Sequence, residues 1–143
     1  MDPNGTVAGS LTFLVRKVWL NMRSAIAAEL KEFGLSTSQY ATLLMAEAQP
    51  GLSAADIARE VASSRQAANE MLTGLEAEGL IERRPHPTDR RSRLIFVTET
   101  GRNRLAEARA AVDRCEGELE AAFTPEQRAA SRNWLEGISK ACS

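Results

Sequence analysis

Residues 79–101 constrain the fold of this chain more than any other segment. They contain two strand candidates, 81–86 and the clearer, more apolar 93–98, on either side of a loop rich in arginine. Proline cannot donate a hydrogen bond to a sheet, so Pro85 and Pro87 fit an edge hairpin better than a central strand. The segment therefore predicts two short strands joined by a loop that carries arginines at its tip.

Two short helical patterns come directly before this hairpin, one over residues 53–62 and one over residues 63–78. Helix, turn, helix and then a basic hairpin is the layout of a winged helix-turn-helix domain. In such a domain one helix enters a major groove of DNA, and the tip of the hairpin, the wing, reaches the adjacent minor groove. The layout predicts a chain that is mainly α-helical, has a small β-hairpin wing and reads double-stranded DNA.

The distribution of charge supports this interpretation, although the net charge of the whole chain is only −1. Between residues 83 and 93 five arginines stand against a single acid, Asp89, which gives a local net charge of +4. Such a basic stripe attracts the phosphates of nucleic acid whatever the total charge. A solvated charged hairpin is the alternative. The five arginines are Arg83, Arg84, Arg90, Arg91 and Arg93.

The second helical pattern has two distinct faces at about 100° per residue. One face is apolar and is expected to be buried: Ala68, Met71, Leu72 and Leu75. The opposite face is mostly polar and is the candidate surface for reading bases: Gln66, Asn69, Glu70, Thr73 and Ala77. Either Ser63 or Ser64 is expected to cap the start of this helix, because a serine oxygen accepts from the first free backbone amides. Both serines are also candidate DNA contacts.

Helical periodicity also precedes this core. A long amphipathic helix is predicted over residues 11–33, and Gly34 is expected to end it in a left-handed cap. Ser36 and Gln39 have the spacing of a capping box, in which each side chain satisfies the other residue's backbone amide. This box predicts the start of a second helix that continues to about residue 48.

Two further helices are predicted after the hairpin. Thr98 is expected to cap the first of them, which continues to about residue 123, and Thr124 with Gln127 is expected to begin the second. In the first helix small and large apolar residues recur at alternating steps of three and four, as in a heptad seam. The seam residues are Leu105, Ala108, Val112, Cys115, Leu119 and Ala122.

The terminal helices carry more apolar surface than one small core can cover. We therefore expect a homodimer in which these helices intertwine; a compact monomeric bundle is the alternative. The chain then divides into an N-terminal dimerisation helix (1–35), a winged-helix DNA-binding domain (36–98) and C-terminal dimerisation helices (99–143).

The composition excludes several other classes of protein. No stretch approaches the roughly 20 apolar residues of a membrane span, and the first residues lack the basic and apolar regions of a signal peptide. Two cysteines make neither a disulfide framework nor a zinc pattern, so we expect a reduced, cytoplasmic protein. His86 is the single histidine and is expected in the hairpin, exposed or near phosphate. Without an activated nucleophile or a glycine-rich phosphate loop, we predict no enzyme activity, no metal site and no cofactor.

The chain also resembles the multiple-antibiotic-resistance (MarR) family of transcriptional regulators along nearly its whole length. The most specific match is Asp89-Arg90-Arg91-Ser92, followed by Val97-Thr98-Glu99-Thr100-Gly101. Weaker matches occur in the family's order and spacing at residues 34–44, 52–58, 75–81 and 83–85. The resemblance implies a homodimeric regulator, most often a repressor, that binds a palindromic operator. Many members release DNA when a small phenolic, lipophilic or oxidising compound acts on them.

The resemblance also implies roles for particular residues. The helix from about Ser64 to Glu78 would be the recognition helix. The residues of this helix that would contact bases are Ser64, Arg65, Gln66 and Asn69. Arg65 is suited to bind guanine, and Gln66 or Asn69 is suited to bind adenine. Arg91 matches the arginine that enters the minor groove, and Asp89 matches the acid that holds this arginine and the loop in place. The remaining wing arginines are expected to contact phosphate, or in the case of Arg90 phosphate or solvent.

Glu70 departs from the family, because many relatives carry a basic residue at this position. A carboxylate there either accepts from a cytosine amino group or repels phosphate, so the operator sequence stays open. Cys115 falls on the apolar seam, which favours a structural role over a redox switch.

A pocket for a small aromatic or lipophilic effector is expected, by the resemblance, where the first, second and fifth helices meet. Its candidate residues are Trp19, Met22, Arg23, Tyr40 and Leu44. Arg23 is suited to pairing with an organic carboxylate; ordinary core and interface packing is the alternative for the other four.

Two other functions are compatible with the sequence. A winged-helix module that binds protein and not DNA would fit the low net charge and Glu70. The second alternative function is that of the dimerisation half of an enzyme, but the chain ends before a catalytic domain could follow.

Overall fold

The computed structural model describes residues 9–61 and 64–143. The chain divides into two compact units, one that extends to Val112 and one from Asp113 to Ser143. The first unit contains the helices and the sheet on which the predicted DNA-binding surface lies. The second unit is the helical C-terminal end.

The first helix, α1, spans Leu11–Leu30 and is capped by the Ser10 hydroxyl. Residues Lys31–Phe33, predicted as part of the same helix, form a tighter 3-10 turn. Gly34 ends this turn at φ 67°, a left-handed conformation that glycine adopts without steric cost. The predicted left-handed cap is therefore confirmed, and only the type of the last helical turn differs.

The second helix, α2, spans Thr37–Ala48, as predicted. Ser36 and Gln39 form the predicted capping box, with the two backbone-to-side-chain hydrogen bonds at 2.9 and 3.1 Å. On the buried face of α2, the Thr42 hydroxyl donates to the Ser38 carbonyl oxygen at 2.8 Å. This buried polar group is therefore satisfied within its own helix.

Three antiparallel strands form the sheet, in the order β1-β3-β2. They are β1 (Leu52–Ser53), β2 (Ile81–Pro85) and β3 (Arg93–Val97). The predicted hairpin of β2 and β3 is confirmed, and β2 lies at an edge of the sheet, where proline is tolerated. Strand β1 was not predicted, because a strand of 2 residues shows no alternation. Its pairing with β3 places Leu52 opposite Ile95.

Helix α3 spans Ala54–Val61 and follows β1 directly. At its start Ser53 and Asp56 exchange hydrogen bonds: each side chain accepts from the other residue's backbone N–H, at 2.9 and 3.1 Å. The backbone N–H of Ser53 is the main cause that lowers the pKa of Asp56. Ser53 therefore caps the start of α3.

Helix α4 spans Arg65–Ala77. Ser64 caps it, because its hydroxyl accepts from the backbone N–H of Ala67 at 3.0 Å. Ser63, the other predicted cap and a predicted DNA contact, lies outside the described residues. Helix α4 buries its predicted apolar face, with Ala68, Leu72 and Leu75 in the core and Met71 packed against it.

The core of the first unit gathers apolar side chains from the helices and from the sheet. Burying a leucine or isoleucine side chain stabilises a fold by about 1.5–3 kcal/mol, so this cluster holds the helices on the sheet. The largest fully buried apolar side chains are Leu30, Leu43, Ile57, Leu72, Leu75, Leu80, Ile81 and Ile95.

Helix α5 spans Glu99–Leu119. It begins as predicted at Thr98, whose hydroxyl accepts from the backbone N–H of Gly101 at 3.0 Å. Gly101 packs directly on the backbone of Leu80: a Cβ at this position would lie 2.0 Å from the Leu80 carbonyl oxygen. Within the first unit the predicted seam of α5 is buried, at Leu105, Ala108 and Val112.

In the second unit α5 ends at Leu119, earlier than the predicted residue 123. The guanidinium of Arg128 donates to the carbonyl oxygen of Glu120 at 2.8 Å and to that of Phe123 at 3.1 Å. These carbonyls are therefore satisfied without a further helical turn. Along this end of the seam Cys115 is half-buried, and Leu119 and Ala122 are exposed.

Helix α6 spans Pro125–Cys142 and begins with the predicted capping box of Thr124 and Gln127. Arg132 of α6 pairs with the carboxylate of Glu120 at 2.8 Å. The start of α6 is therefore tied to the turn that precedes it.

Both ends of the chain leave large apolar side chains exposed. On α1 they are Leu11, Phe13, Leu14, Val15, Val18, Trp19 and Leu20. In the second unit they are Leu119, Phe123, Trp134, Leu135 and Ile138. Among the described residues, no helix combines the length and the apolar character that a membrane crossing requires. One folded chain thus leaves uncovered the apolar faces that the sequence predicts to be in excess.

Candidate nucleic-acid interface

The exposed face of α4 carries the side chains that were predicted to read bases. They line one open hollow along the helix: Arg65, Gln66, Asn69, Glu70 and Thr73. The opposite face of the same helix is buried, so the predicted division into a polar and an apolar face is confirmed. Exposed polar side chains near the start of a helix are the groups that such a helix presents to base edges in a major groove.

Gln66 and Glu70 are in contact on this exposed face. The carboxamide nitrogen of Gln66 donates to a carboxylate oxygen of Glu70 at 3.4 Å. The two residues are one helical turn apart, the spacing at which side chains on a helix surface meet.

Arg83 ties the first wing strand to α4. Its Nη2 and Nε donate to Oε1 of Glu76 at 2.9 and 3.3 Å, and Nη2 also donates to the Thr73 hydroxyl at 3.2 Å. The hydrogen bond from Arg83 is the largest cause that lowers the pKa of Glu76, and the charge of Arg93 adds to it. Thr73 and Arg83, each predicted to contact DNA, are thus joined in one intramolecular network.

Arg84 has its own partners on the other face of β2. Successive residues of a strand point to opposite faces, which separates Arg84 from Arg83. Arg84 pairs with Glu82, and its guanidinium carbon lies 4.0 Å from the centroid of the Phe96 ring. This is a cation–π contact, in which the positive group is attracted to the face of the ring.

The tip of the wing is organised by backbone amides. Nδ1 of His86 accepts from the backbone N–H of Thr88 at 3.1 Å and from that of Asp89 at 3.0 Å. The Asp89 carboxylate in turn accepts from the backbone N–H of Arg91 at 2.9 Å. His86 is half-buried, and Arg90 and Arg91 are exposed at the tip. Asp89 therefore shapes the loop through the main chain of Arg91.

The role of His86 in this loop was not predicted. The sequence places it in the hairpin, which is confirmed, but its ring is a loop-forming acceptor in the fold. Its position between Pro85 and Pro87, which lack a backbone N–H but keep their carbonyl acceptors, gives no local signal of this role.

A second hollow, of about 300 Å³, joins α4 to the wing and to the start of α3. We call it the arginine groove. It brings together six of the residues predicted to contact DNA: Arg65, Asn69, Arg83, Asp89, Arg91 and Arg93. Ala54 and Ala55 of α3 and Ser92 of the wing complete its described lining. Four arginines against one aspartate make this groove attractive to a polyanion.

The chain is similar to known transcriptional regulators. A family model described as MarR family matches residues 33–92. An HTH-type transcriptional repressor of Mycobacterium tuberculosis is 30% identical over 128 residues, which are 90% of this chain and 92% of that protein. The chain belongs to the MarR family.

Solved structures of other MarR-family regulators have the same fold as this one. The transcriptional repressor CouR, a protein of Rhodococcus jostii RHA1, was solved bound to a 23-mer DNA duplex. It matches with a TM-score of 0.86 and 29% identity, over 94% of this chain and 96% of CouR. A MarR family protein of Mycobacterium tuberculosis, solved in complex with salicylic acid, matches with a TM-score of 0.75 and 29% identity, over 90% and 96%. This MarR-family chain is a DNA-binding transcriptional regulator.

A further hollow of this MarR-family regulator, of about 370 Å³, opens between α1, α2 and α3. We call it the Trp19 hollow. Its described lining is Trp19, Arg23, Thr37, Ser38, Ala41, Glu60 and Val61. Two of the five residues predicted to contact an effector, Trp19 and Arg23, are therefore brought together.

The other three predicted effector residues lie elsewhere. Tyr40 belongs to the core, Leu44 packs against it, and Met22 is half-buried on α1. The periodicity of α2 explains the positions of Tyr40 and Leu44. Residues three and four apart share one face of a helix, and this face, which includes the buried Leu43, packs inward. The third wall of the hollow comes from α3 and not from the predicted fifth helix, whose seam residues Leu105, Ala108 and Val112 are buried in the core.

Proposed function

We propose that this MarR-family regulator is a homodimeric repressor that binds a palindromic operator in the cytoplasm. Each protomer places α4 in a major groove and the wing in the adjacent minor groove. The arginine groove carries this proposal, because it joins Arg65 and Asn69 of the helix to Arg91 and Arg93 of the wing. A DNA backbone lying between the two grooves would meet positive charge from both elements.

The residues have different tasks in this proposal. Arg65 is suited to guanine and Asn69 to adenine, and Arg91 enters the minor groove from the tip of the wing. Arg90 and Arg93, which are exposed, contact phosphate. Arg83 and Arg84 are held by acids of their own chain, so they position the wing more than they bind phosphate. The hydrogen bonds of Arg83 to α4 support this distinction.

The dimer is proposed to use the apolar faces that one chain leaves exposed on α1 and in the second unit. This keeps the division into dimerisation helices at 1–35 and 99–143 and a DNA-binding domain at 36–98. A two-fold dimer reads two half-sites about one helical turn, or roughly 34–36 Å, apart. The 23-mer duplex bound by CouR is long enough for such a pair of half-sites.

An aromatic carboxylate is the proposed class of effector, and the Trp19 hollow is its proposed site. Arg23 pairs with the carboxylate, and the indole of Trp19 packs on the aromatic ring. Glu60, on the opposing wall, accepts from a ring hydroxyl. Salicylic acid, which the Mycobacterium tuberculosis relative binds in its structure, carries all three features. The effector would release DNA by favouring a dimer geometry with the wrong spacing of the two α4 helices.

Fluorescence anisotropy tests the proposal with a duplex from upstream of the protein's own gene and a scrambled duplex, each at low and moderate salt. Wild type is compared with Arg91→Ala and with Arg109→Ala, which removes an exposed arginine of α5 outside the arginine groove. Wild type should bind selectively. Arg91→Ala should lose about 5- to 150-fold in affinity for DNA. The slope of log affinity against log salt concentration should become shallower by about one.

Arg109→Ala should bind as wild type does. Equal loss in both variants would mean that only general charge matters and would contradict the role of the wing. Light scattering of the same samples should give twice the chain mass of 15.6 kDa; a monomeric mass would contradict the dimer.

A further inference from the structure

The reading face of α4 carries one acid, Glu70, in a hollow that it shares with Arg65 and Asn69. The other acid of this helix, Glu76, is paired with Arg83, and Glu78 just beyond it is paired with Arg104. Glu70 is exposed, and among the described residues its carboxylate has one hydrogen-bond partner, Gln66. A carboxylate that no arginine neutralises is costly beside DNA phosphates, unless it contacts a hydrogen-bond donor there.

Few donors are available to a carboxylate in a major groove. Only the N4 amino group of cytosine and the N6 amino group of adenine donate there, whereas guanine and thymine present acceptors. In adenine the acceptor N7 lies beside N6 and repels the second carboxylate oxygen. Cytosine has a C–H group in the equivalent place and no such repulsion. A carboxylate on the reading face therefore favours cytosine over the other three bases.

The contact with Gln66 places this carboxylate. The Gln66 amide donates to one oxygen of Glu70 at 3.4 Å. The second oxygen of Glu70 is left as an acceptor directed by a helix that is anchored in the core through Ala68 and Leu72. A side chain that a neighbour already holds in part loses less conformational freedom on binding, which favours the contact it makes.

We propose that Glu70, positioned by Gln66, specifies a cytosine in each half-site of the operator; this rests on the proposed function of α4 as the recognition helix. Selection from a pool of random duplexes tests it with wild type, Glu70→Ala and Glu70→Gln. Glu107→Gln, which removes the charge of an exposed glutamate on α5, is the matched control. Wild type and the control should select the same half-site, with a cytosine at one fixed position.

Glu70→Ala should relax that position while it keeps the preferences at the others, which also shows that the variant folds. Glu70→Gln should change the preferred base from cytosine to adenine, because glutamine bonds to N6 and N7 of adenine together. On fixed duplexes, replacing the selected C·G pair by T·A should weaken wild type by about 5- to 150-fold, the usual cost of one mismatched base pair. The same replacement should leave Glu70→Ala almost unaffected.

Two results would overturn the inference, and they are distinguishable. If both Glu70 variants keep the wild-type preference at every position and bind all duplexes more tightly, Glu70 only repels phosphate and specifies nothing. If wild type selects no sequence at all, the proposed reading of DNA by α4 fails as well.

Discussion

The guanidinium of Arg83 on β2 donates two hydrogen bonds to the carboxylate of Glu76 on α4, at N–O distances of 2.9 and 3.3 Å. The Thr73 hydroxyl, one turn away on α4, accepts a third at 3.2 Å. The base of the wing is thereby tied to the helix that is proposed to read DNA. Because the proposed function places the two elements in adjacent grooves at once, these hydrogen bonds would set the geometry in which they bind DNA.

Glu76→Gln should destabilise the fold near neutral pH and leave its stability unchanged in acid. Arg83 lowers the pKa of Glu76 in the folded protein. The contribution is therefore fully present above the unfolded pKa, about 4.3, and is lost as the pH falls through the lowered folded value. Glu76 is largely exposed, so the difference should be only about 0.5 kcal/mol near neutral pH. Urea unfolding at constant protein concentration, near neutral pH and well below the unfolded pKa, measures it.

The matched control for this prediction is Glu107→Gln on α5, for which no such difference is expected. If the deficit of Glu76→Gln persisted undiminished in acid, the ionised pair with Arg83 would not be its source.

Features set by neighbouring residues could be predicted from the sequence. The capping boxes at Ser36 and at Thr124 join groups three residues apart, and the hairpin of β2 and β3 depends on a short loop. Strand β1 could not be predicted, because it exists only through its pairing with β3, more than forty residues further along the chain. Long-range partners of this kind leave no local pattern.

The same distinction holds at the candidate site. Periodicity alone predicted which face of α4 is exposed, including Gln66 and Asn69. It could not separate the wing arginines, since Arg83, Arg84 and Arg91 contribute the same charge to the sequence. The structure separates them by their partners: Glu76 and Thr73 hold the first, Glu82 and the Phe96 ring hold the second, and the third is exposed at the tip.

Gly101→Ala should destabilise the first unit strongly. A Cβ at this position would lie 2.0 Å from the Leu80 carbonyl oxygen and 2.8 Å from a methyl carbon of Val97, so the backbone itself must move. Overpacking of this kind costs about 1–3 kcal/mol or more. Gly117→Ala in the same helix meets nothing within 4 Å and should be neutral or stabilising, because alanine favours helix over glycine. Thermal unfolding of both variants checks the contrast, which equal melting temperatures would contradict.

Asp89→Asn should bind DNA at least as tightly as wild type, whereas Asp89→Ala should bind more weakly. The Asp89 carboxylate accepts from the backbone N–H of Arg91 at 2.9 Å, and an amide oxygen can accept the same bond. The amide also removes a negative charge near phosphate. Losing the bond altogether should cost about 2- to 10-fold in affinity. Anisotropy with the selected duplex measures this; equal weakening of both variants would mean that the charge of Asp89, and not its bond to the loop, is required.

His86→Ala should weaken DNA binding, and His86→Asn should restore much of it. The ring Nδ1 accepts from the backbone N–H groups of Thr88 and Asp89, at 3.1 and 3.0 Å, and so fixes the tip that carries Arg91. Asparagine places an acceptor oxygen at a similar distance from its Cα. Two lost bonds in a half-exposed loop should reduce affinity by about 3- to 10-fold. If His86→Ala bound as wild type does, the wing would be held by its other bonds alone.

Arg23→Ala should make the bound regulator insensitive to salicylate without changing its affinity for DNA. Arg23 and Trp19 line the same hollow, so the guanidinium can hold a carboxylate while the ring contacts the indole. Salicylate should therefore quench tryptophan fluorescence and release the selected duplex in wild type and in Arg109→Ala, but not in Arg23→Ala. Benzyl alcohol, an aromatic without a carboxylate, should do neither. Salicylate can release DNA only by binding the DNA-free state more tightly than the DNA-bound state. A variant that no longer binds salicylate should therefore no longer release the duplex. Release from Arg23→Ala at the wild-type salicylate concentration would place the effector site elsewhere.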